Sequence, residues 1–180
     1  MTVLDTDTRD LLKVMAKTQE LVNQISKDEI ISLDLPDFAL VCRGLKSQSY
    51  GALGERWLCN KLGLTRVTGN KDWDAVSDTG LRYEIKFSIA GPNRKFNVVQ
   101  VRPHGSLDAY LIFGIGYDNQ GYVWHLNKME MNDELQLLKA GSAHGKLDPR
   151  NPAQERRFTF TEGGDTFKRW EMYRLTHSGV

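Results

Sequence analysis

The chain has 180 residues, enough for one domain with a buried core, and its 40% hydrophobic and 26% charged residues are ordinary for a globular protein. A formal net charge of +1 excludes a global electrostatic case for nucleic-acid binding. Cys42 and Cys59 lack a CxxC partner or a flanking His pair, which argues against a zinc site or a disulfide scaffold.

Charge is uneven along the chain. Residues 1–40 hold 4 Lys/Arg against 8 Asp/Glu, and the remainder holds 20 against 15. A mildly basic body with an acidic arm is compatible with DNA but does not demand it. Asp5, Asp7 and Asp10 with no long apolar run exclude an ordinary signal peptide and a membrane-spanning helix. The expectation is a cytoplasmic protein with reduced thiols and no membrane partner.

The first predicted element is a helix over 8–25, with Leu11, Val14, Leu21 and Ile25 at heptad-like spacing and Thr18 in the gap. It reads as an amphipathic helix packed on the body, or alternatively as a dimer seam. Residues 28–45 are mixed, with Pro36 breaking any continuous helix. Together 1–45 form an N-terminal helical arm. Ser47 to Leu62 is a helix, capped by Ser47 or Ser49 and ended by Gly63. Its apolar stripe is Ala52, Leu58, Cys59 and Leu62, with Leu53 and Trp57 on the opposite side, so the helix is expected to be covered on two faces. Glu55 lies near the middle of the stripe, where an unpaired glutamate costs several kcal/mol or takes up a proton. It either reaches water or finds a partner on the Lys86 side of the hairpin that follows.

That hairpin is the most informative segment. Leu81 to Ser88 alternates strictly, with Tyr83, Ile85 and Phe87 on one face and Arg82, Glu84, Lys86 and Ser88 on the other, which predicts a strand with one buried face. Trp73 to Ser77 is a short strand before it, and Asp78-Thr79-Gly80 is a three-residue loop of type I turn with Gly last. If Ser77 and Leu81 flank the turn, Val76 faces Arg82, Ala75 faces Tyr83 and Asp74 faces Glu84. Directly opposed residues have Cβ atoms about 4.5–5.5 Å apart. Two carboxylates that close require a cation between them. Lys86 supplies one charge, and a hard divalent ion would supply more.

Further along, 96–102 is extended, Ala109 to Tyr117 is a central strand, and Asn119-Gln120-Gly121 turns it into a return over Tyr122 to Leu126. Residues 128–139 form a helix with Met129, Leu135 and Leu138 as its apolar face. Arg156 to Thr161 is a late strand, and Asp165 to Tyr173 a terminal helix carrying Lys168 and Arg169. The histidines are scattered, His125 reads as a core residue, and there is no GxSxG, Walker or GxGxxG pattern.

Glu55 on a helix, followed by Asp74, Glu84 and Lys86 as Asp-x9-Glu-x-Lys across a hairpin, resembles the PD-(D/E)xK nuclease superfamily, and most of all its small type II restriction endonucleases. The resemblance spans about residues 47–126, and Trp73 stands where the family name has Pro. It implies one endonuclease domain over 1–180, with a catalytic core at 47–126 and a helix-strand-helix extension at 127–180. The implied fold is α/β, a restriction-endonuclease-like core of about five mixed strands flanked by helices. By the same resemblance Asp74, Glu84 and the Ile85 carbonyl hold Mg²⁺ or Mn²⁺, Lys86 is base or phosphate clamp, and Glu55 is an accessory carboxylate for a second ion or for Lys86. The expected activity is sequence-specific cleavage of double-stranded DNA to 5′-phosphate and 3′-hydroxyl ends by a homodimer. Alternatives are a structure-selective nuclease, such as a junction resolvase or repair enzyme, and a DNA-binding module of the same fold without catalysis. Asn97, Gln100 and Arg102 are then candidates for base contact, and Arg94 and Lys95 for phosphate contact. His144 and Lys146 belong to a Gly141–Lys146 loop that either cradles a phosphate or is a plain surface turn.

Overall fold

The computed structural model describes residues 26–45, 47–69, 72–103 and 105–176. The helix expected over 8–25, and with it the dimer seam, lies outside these residues.

The described chain opens with α1 (Lys27–Ser32), started by a capping box in which Ser26 and Glu29 each accept from the other's backbone N–H. Then comes α2 (Leu35–Gly44), capped by Asp34. Pro36 sits in the first turn of α2, where its missing N–H costs nothing. It therefore begins a helix, and 28–45 is two short helices rather than a mixed stretch. Helix α3 (Ser47–Leu62) has the expected bounds, with Gly63 at φ +66° after it.

The strands follow as β1 (Thr65–Arg66), β2 (Ala75–Val76), β3 (Arg82–Ile89), β4 (Lys95–Val101), β5 (Ala109–Ile115) and β6 (Gly121–Asn127). After these come α4 (Lys128–Leu137), β7 (Gly141–Ser142), β8 (Arg156–Thr161), α5 (Asp165–Arg169) and a 3₁₀ turn (Trp170–Tyr173). The fold is α/β. Its main sheet has five strands in the order β1-β2-β3-β5-β6, mixed because β3 and β5 run parallel while every other pair is antiparallel. A smaller sheet has the order β4-β8-β7.

The continuous apolar run of β5 is buried throughout, as suits a strand covered on both faces. One face of the main sheet meets the helices, with Phe38 and Trp57 packed over Ile85, Leu111 and Phe113. Trp57 and Phe113 stack at 5.1 Å, and Phe87 and Phe113 at 4.7 Å. On the other face Tyr110, Ile112 and Trp124 pack beneath Phe96, Phe158, Phe160 and Trp170.

This second layer corrects the expectation for β3. Its alternation is real, but both faces are covered, and Glu84 and Ser88 are buried. The cause is β4, which folds back over that side. Asn97 donates its N–H to Ser88 Oγ at 2.8 Å, and Arg102 donates its N–H to Glu84 Oε2 at 3.2 Å.

Two helical faces also differ from expectation. In α3, Leu53, Trp57, Leu58 and Cys59 are buried while Ala52 is exposed, so the inward stripe is rotated toward Trp57. Gly54 explains the close approach, since a Cβ there would overlap the Phe87 side chain of β3. In α4 the inward residues are Met131, Glu134 and Leu135, and Met129 is exposed. Among the described residues no helix is long and apolar enough to cross a membrane.

Candidate functional site

The hairpin adopts the register read from the sequence. Val76 pairs with Arg82 and Ala75 with Tyr83. Ser77 donates its N–H to Leu81 O at 2.9 Å, and Gly80 turns the chain at φ +84°. Arg82 fastens the hairpin to the start of β5 by donating to both Asp108 carboxylate oxygens at 2.9 Å. These bonds hold the Asp108 carboxyl down at about 2.

Asp74 lies just beyond β2. Its N–H reaches Tyr83 O at 2.8 Å, and its Oδ2 accepts from the Ile85 N–H at 2.8 Å. Along a strand the N–H and C=O of one residue point to the same side. Ile85 therefore turns its carbonyl toward the edge that Asp74 occupies, while Arg82 O accepts from Asp108 on the β5 side at 2.9 Å. This leaves a carbonyl and a carboxylate at one open edge where β2 has ended.

Glu84 is wholly buried and fully engaged. Its Oε1 accepts from Lys86 Nζ at 2.8 Å and from Arg102 Nε at 2.9 Å. Arg102 Nη2 reaches Asp74 Oδ1 at 3.5 Å. The cation required between two facing carboxylates is thus Arg102, a residue expected at a DNA base. Its guanidinium is turned inward. A β-bulge lies between Val98 and Val101, where β4 gains a residue relative to β8 and Gln100 takes φ +57°. The extra residue shifts the alternation so that Val101 enters the core, and Arg102 follows it past the end of β4 with its N–H and Nε on Glu84. Tyr110 OH donates to Arg102 O at 2.6 Å and fixes the backbone there. The charge count points to a residue such as Arg102, since two carboxylates and one lysine leave a deficit.

Glu55 pairs with Arg66 Nη2 at 3.7 Å rather than with Lys86. Burial pushes its carboxyl above the ordinary range, and the negative charge of Asp74 adds to this, against the opposing Lys86 and Arg66. An acid whose folded-state value is raised binds its proton more tightly when folded. Its ionisation costs stability that is intact below the unfolded value near 4.5 and lost as pH rises through the raised one. Glu55→Gln is therefore expected to raise the melting temperature at pH 7, with a gap over wild type that closes by pH 4. Thermal melts at the two pH values check this, and an equal gap at both would contradict it.

Lys95, Asn97 and Gln100 are exposed on the outer face of the small sheet. Thr159 and Thr161 flank them in register, and Arg157 is exposed on the same strand, none of them marked by a sequence motif. Gln100 Nε2 lies 3.5 Å from His144 Nε2, and His144 pairs with Glu155 at 3.4 Å. Lys146 is exposed nearby in sequence. The 141–146 loop is tied to itself. Ala143 N–H is spent on Glu155 O and His144 N–H on Ser142 Oγ, so neither faces an anion.

Arg94 pairs with the buried Glu162 at 3.3 Å, at the opposite end of β4 from Arg102 and about 20 Å along the strand. Arg169 donates to both oxygens of the buried Glu134 at 2.9 and 2.6 Å. Both cysteines are buried and free, with burial pushing the Cys59 thiol up to about 11 and that of Cys42 higher still, so neither is a nucleophile.

Among the described residues no group of three or more His, Cys, Asp or Glu side chains is gathered as a metal site. The acidic edge holds two carboxylates, and Glu55 stands apart with Arg66. No family model matches the chain, and no curated protein matches it.

Proposed function

We propose that the chain is a divalent-metal-dependent endonuclease acting on double-stranded DNA, built on a restriction-endonuclease-like core. The observation that carries this reading is the hairpin register. It gathers Asp74, Glu84, Lys86 and the Ile85 carbonyl at one strand edge. The donor chemistry supports Mg²⁺ or Mn²⁺, since Mg²⁺ takes only one or two carboxylates and keeps several waters. Such an ion, when bound, makes its water acidic and offsets charge on the phosphate. Asp74, Glu84 and Ile85 O are the proposed donors. Lys86, held by Glu84, supplies a positive charge beside the scissile phosphate, and Glu55 is the accessory carboxylate.

The outer face of the β4-β8-β7 sheet is the proposed DNA surface. Asn97 and Gln100 offer amide groups for base edges, and Lys95 and Arg157 offer charge for phosphates. Cutting both strands of a palindrome would use two copies of the chain.

The charge balance of the cluster favours a second reading. Asp74 and Glu84 are matched by Lys86 and Arg102, so the group is neutral without any ion. A structural ion network needs no more than that. Digestion of a plasmid of known sequence with Mg²⁺ or Mn²⁺, and with EDTA as control, decides between them. Metal-dependent cutting to discrete fragments is the expected result. A smear would remove sequence specificity and favour a nuclease selective for structure. No cutting under any metal would leave the structural network.

A further inference from the structure

We propose that the Arg102 side chain occupies the place of the metal ion, holding the site closed and neutral until an ion displaces it. This rests on the metal-site reading above. The guanidinium touches both proposed donors, at 2.9 Å on Glu84 and 3.5 Å on Asp74. A divalent ion added beside it would place four positive charges against two carboxylates, in a site where Glu84 is wholly buried. Like charges so close in a poorly solvated site repel strongly. Ion and guanidinium therefore exclude one another.

The architecture permits the exchange without unfolding. The backbone of Arg102 is held on both sides, by its N–H on Glu84 Oε2 at 3.2 Å and by Tyr110 OH on its carbonyl at 2.6 Å. Only the side chain has to swing, and it is already partly exposed. When it leaves, Glu84 keeps two of its three donors, Lys86 Nζ and the Arg102 N–H. Oε1 then has room for a new partner, and Asp74 Oδ1 loses its ion pair. Arg102 in this role is a positioning residue, one that sets how tightly the site takes its ion.

The test titrates Mn²⁺ alone into the intact protein, following free Mn²⁺ by electron paramagnetic resonance with no DNA present. Wild type is expected to bind weakly, and Arg102→Gln at least tenfold more tightly. Arg102→Lys keeps the charge and is expected to stay within a few-fold of wild type. Melting temperatures give an independent readout, with Arg102→Gln less stable than wild type in EDTA and gaining more from Mn²⁺ than wild type does. Equal Mn²⁺ affinity in wild type and Arg102→Gln would overturn the proposal while leaving the metal site standing. Absence of binding in both, with Arg102→Gln still folded by circular dichroism, would instead overturn the metal site itself. If Arg102→Gln fails to fold, Arg102→Met carries the same comparison, with its length retained and its charge removed.

Discussion

Replacing Lys86 by alanine is expected to slow DNA cleavage by roughly 10²- to 10⁴-fold, the range found for a lost proton-transfer or charge-stabilising group, while the fold survives. Survival follows from the partners that remain. Glu84 loses Lys86 Nζ but keeps Arg102 Nε at 2.9 Å and the Arg102 N–H at 3.2 Å. No buried carboxylate is stranded, so the stability cost stays below the about 3–5 kcal/mol of a buried charge left without its partner. The ion pair with Glu84 at 2.8 Å presents Lys86 as a charged donor, which favours the role of phosphate clamp. An arginine cannot act as a base near neutral pH but can act as a clamp. Lys86→Arg is therefore expected to retain well over ten times the activity of Lys86→Ala. First-order rates of supercoiled-plasmid loss measure both variants. If arginine proves as inactive as alanine, Lys86 is the base. If neither variant changes the rate, the site lies elsewhere.

What the sequence disclosed follows from how local each feature is. The hairpin was legible because a three-residue loop with Gly at its left-handed position fixes which residues face one another, and the observed pairs Val76–Arg82 and Ala75–Tyr83 follow directly. Helix α3 was legible in its bounds, since a serine-rich start and Gly63 frame it, but not in its rotation. Its inward face is chosen by Gly54 meeting Phe87, a contact between residues 33 positions apart. The uninterrupted apolar run of β5 announced a central strand. The second layer over Glu84 was not legible, because it depends on β4 pairing with β8 some sixty residues later. Arg102 belongs to that same layer, just past the end of β4, where it faces Asp74 and Glu84. Alternation from Phe96 and Val98 holds only as far as the bulge at Gln100, which brings Val101 into the core instead.

Glu84→Ala is expected to produce the largest loss of stability, about 3–5 kcal/mol, because it removes one member of a buried ion group and strands the rest. Glu84 is wholly buried, and its carboxylate answers Lys86 Nζ, Arg102 Nε and the Arg102 N–H together. Without it Lys86 loses its 2.8 Å ion pair, and Arg102 is left with Asp74 at 3.5 Å. Against a typical total of about 5–15 kcal/mol, such a loss is a large share of the stability of the domain. Urea denaturation followed by circular dichroism measures it. Pairing Glu84→Gln with Arg102→Gln removes one charge of each sign and is expected to recover much of the loss, since a neutral buried pair costs less than a lone buried charge. The contrast with Lys86→Ala gives the pair of variants their use. A catalytic lysine costs activity with little stability, whereas the buried glutamate costs both. If both substitutions lowered stability alike and no cleavage were lost, the four charges would be holding β3 to β4 and nothing more. A Glu84→Ala protein as stable as wild type would contradict the burial and ion pairing on which both readings of the cluster depend.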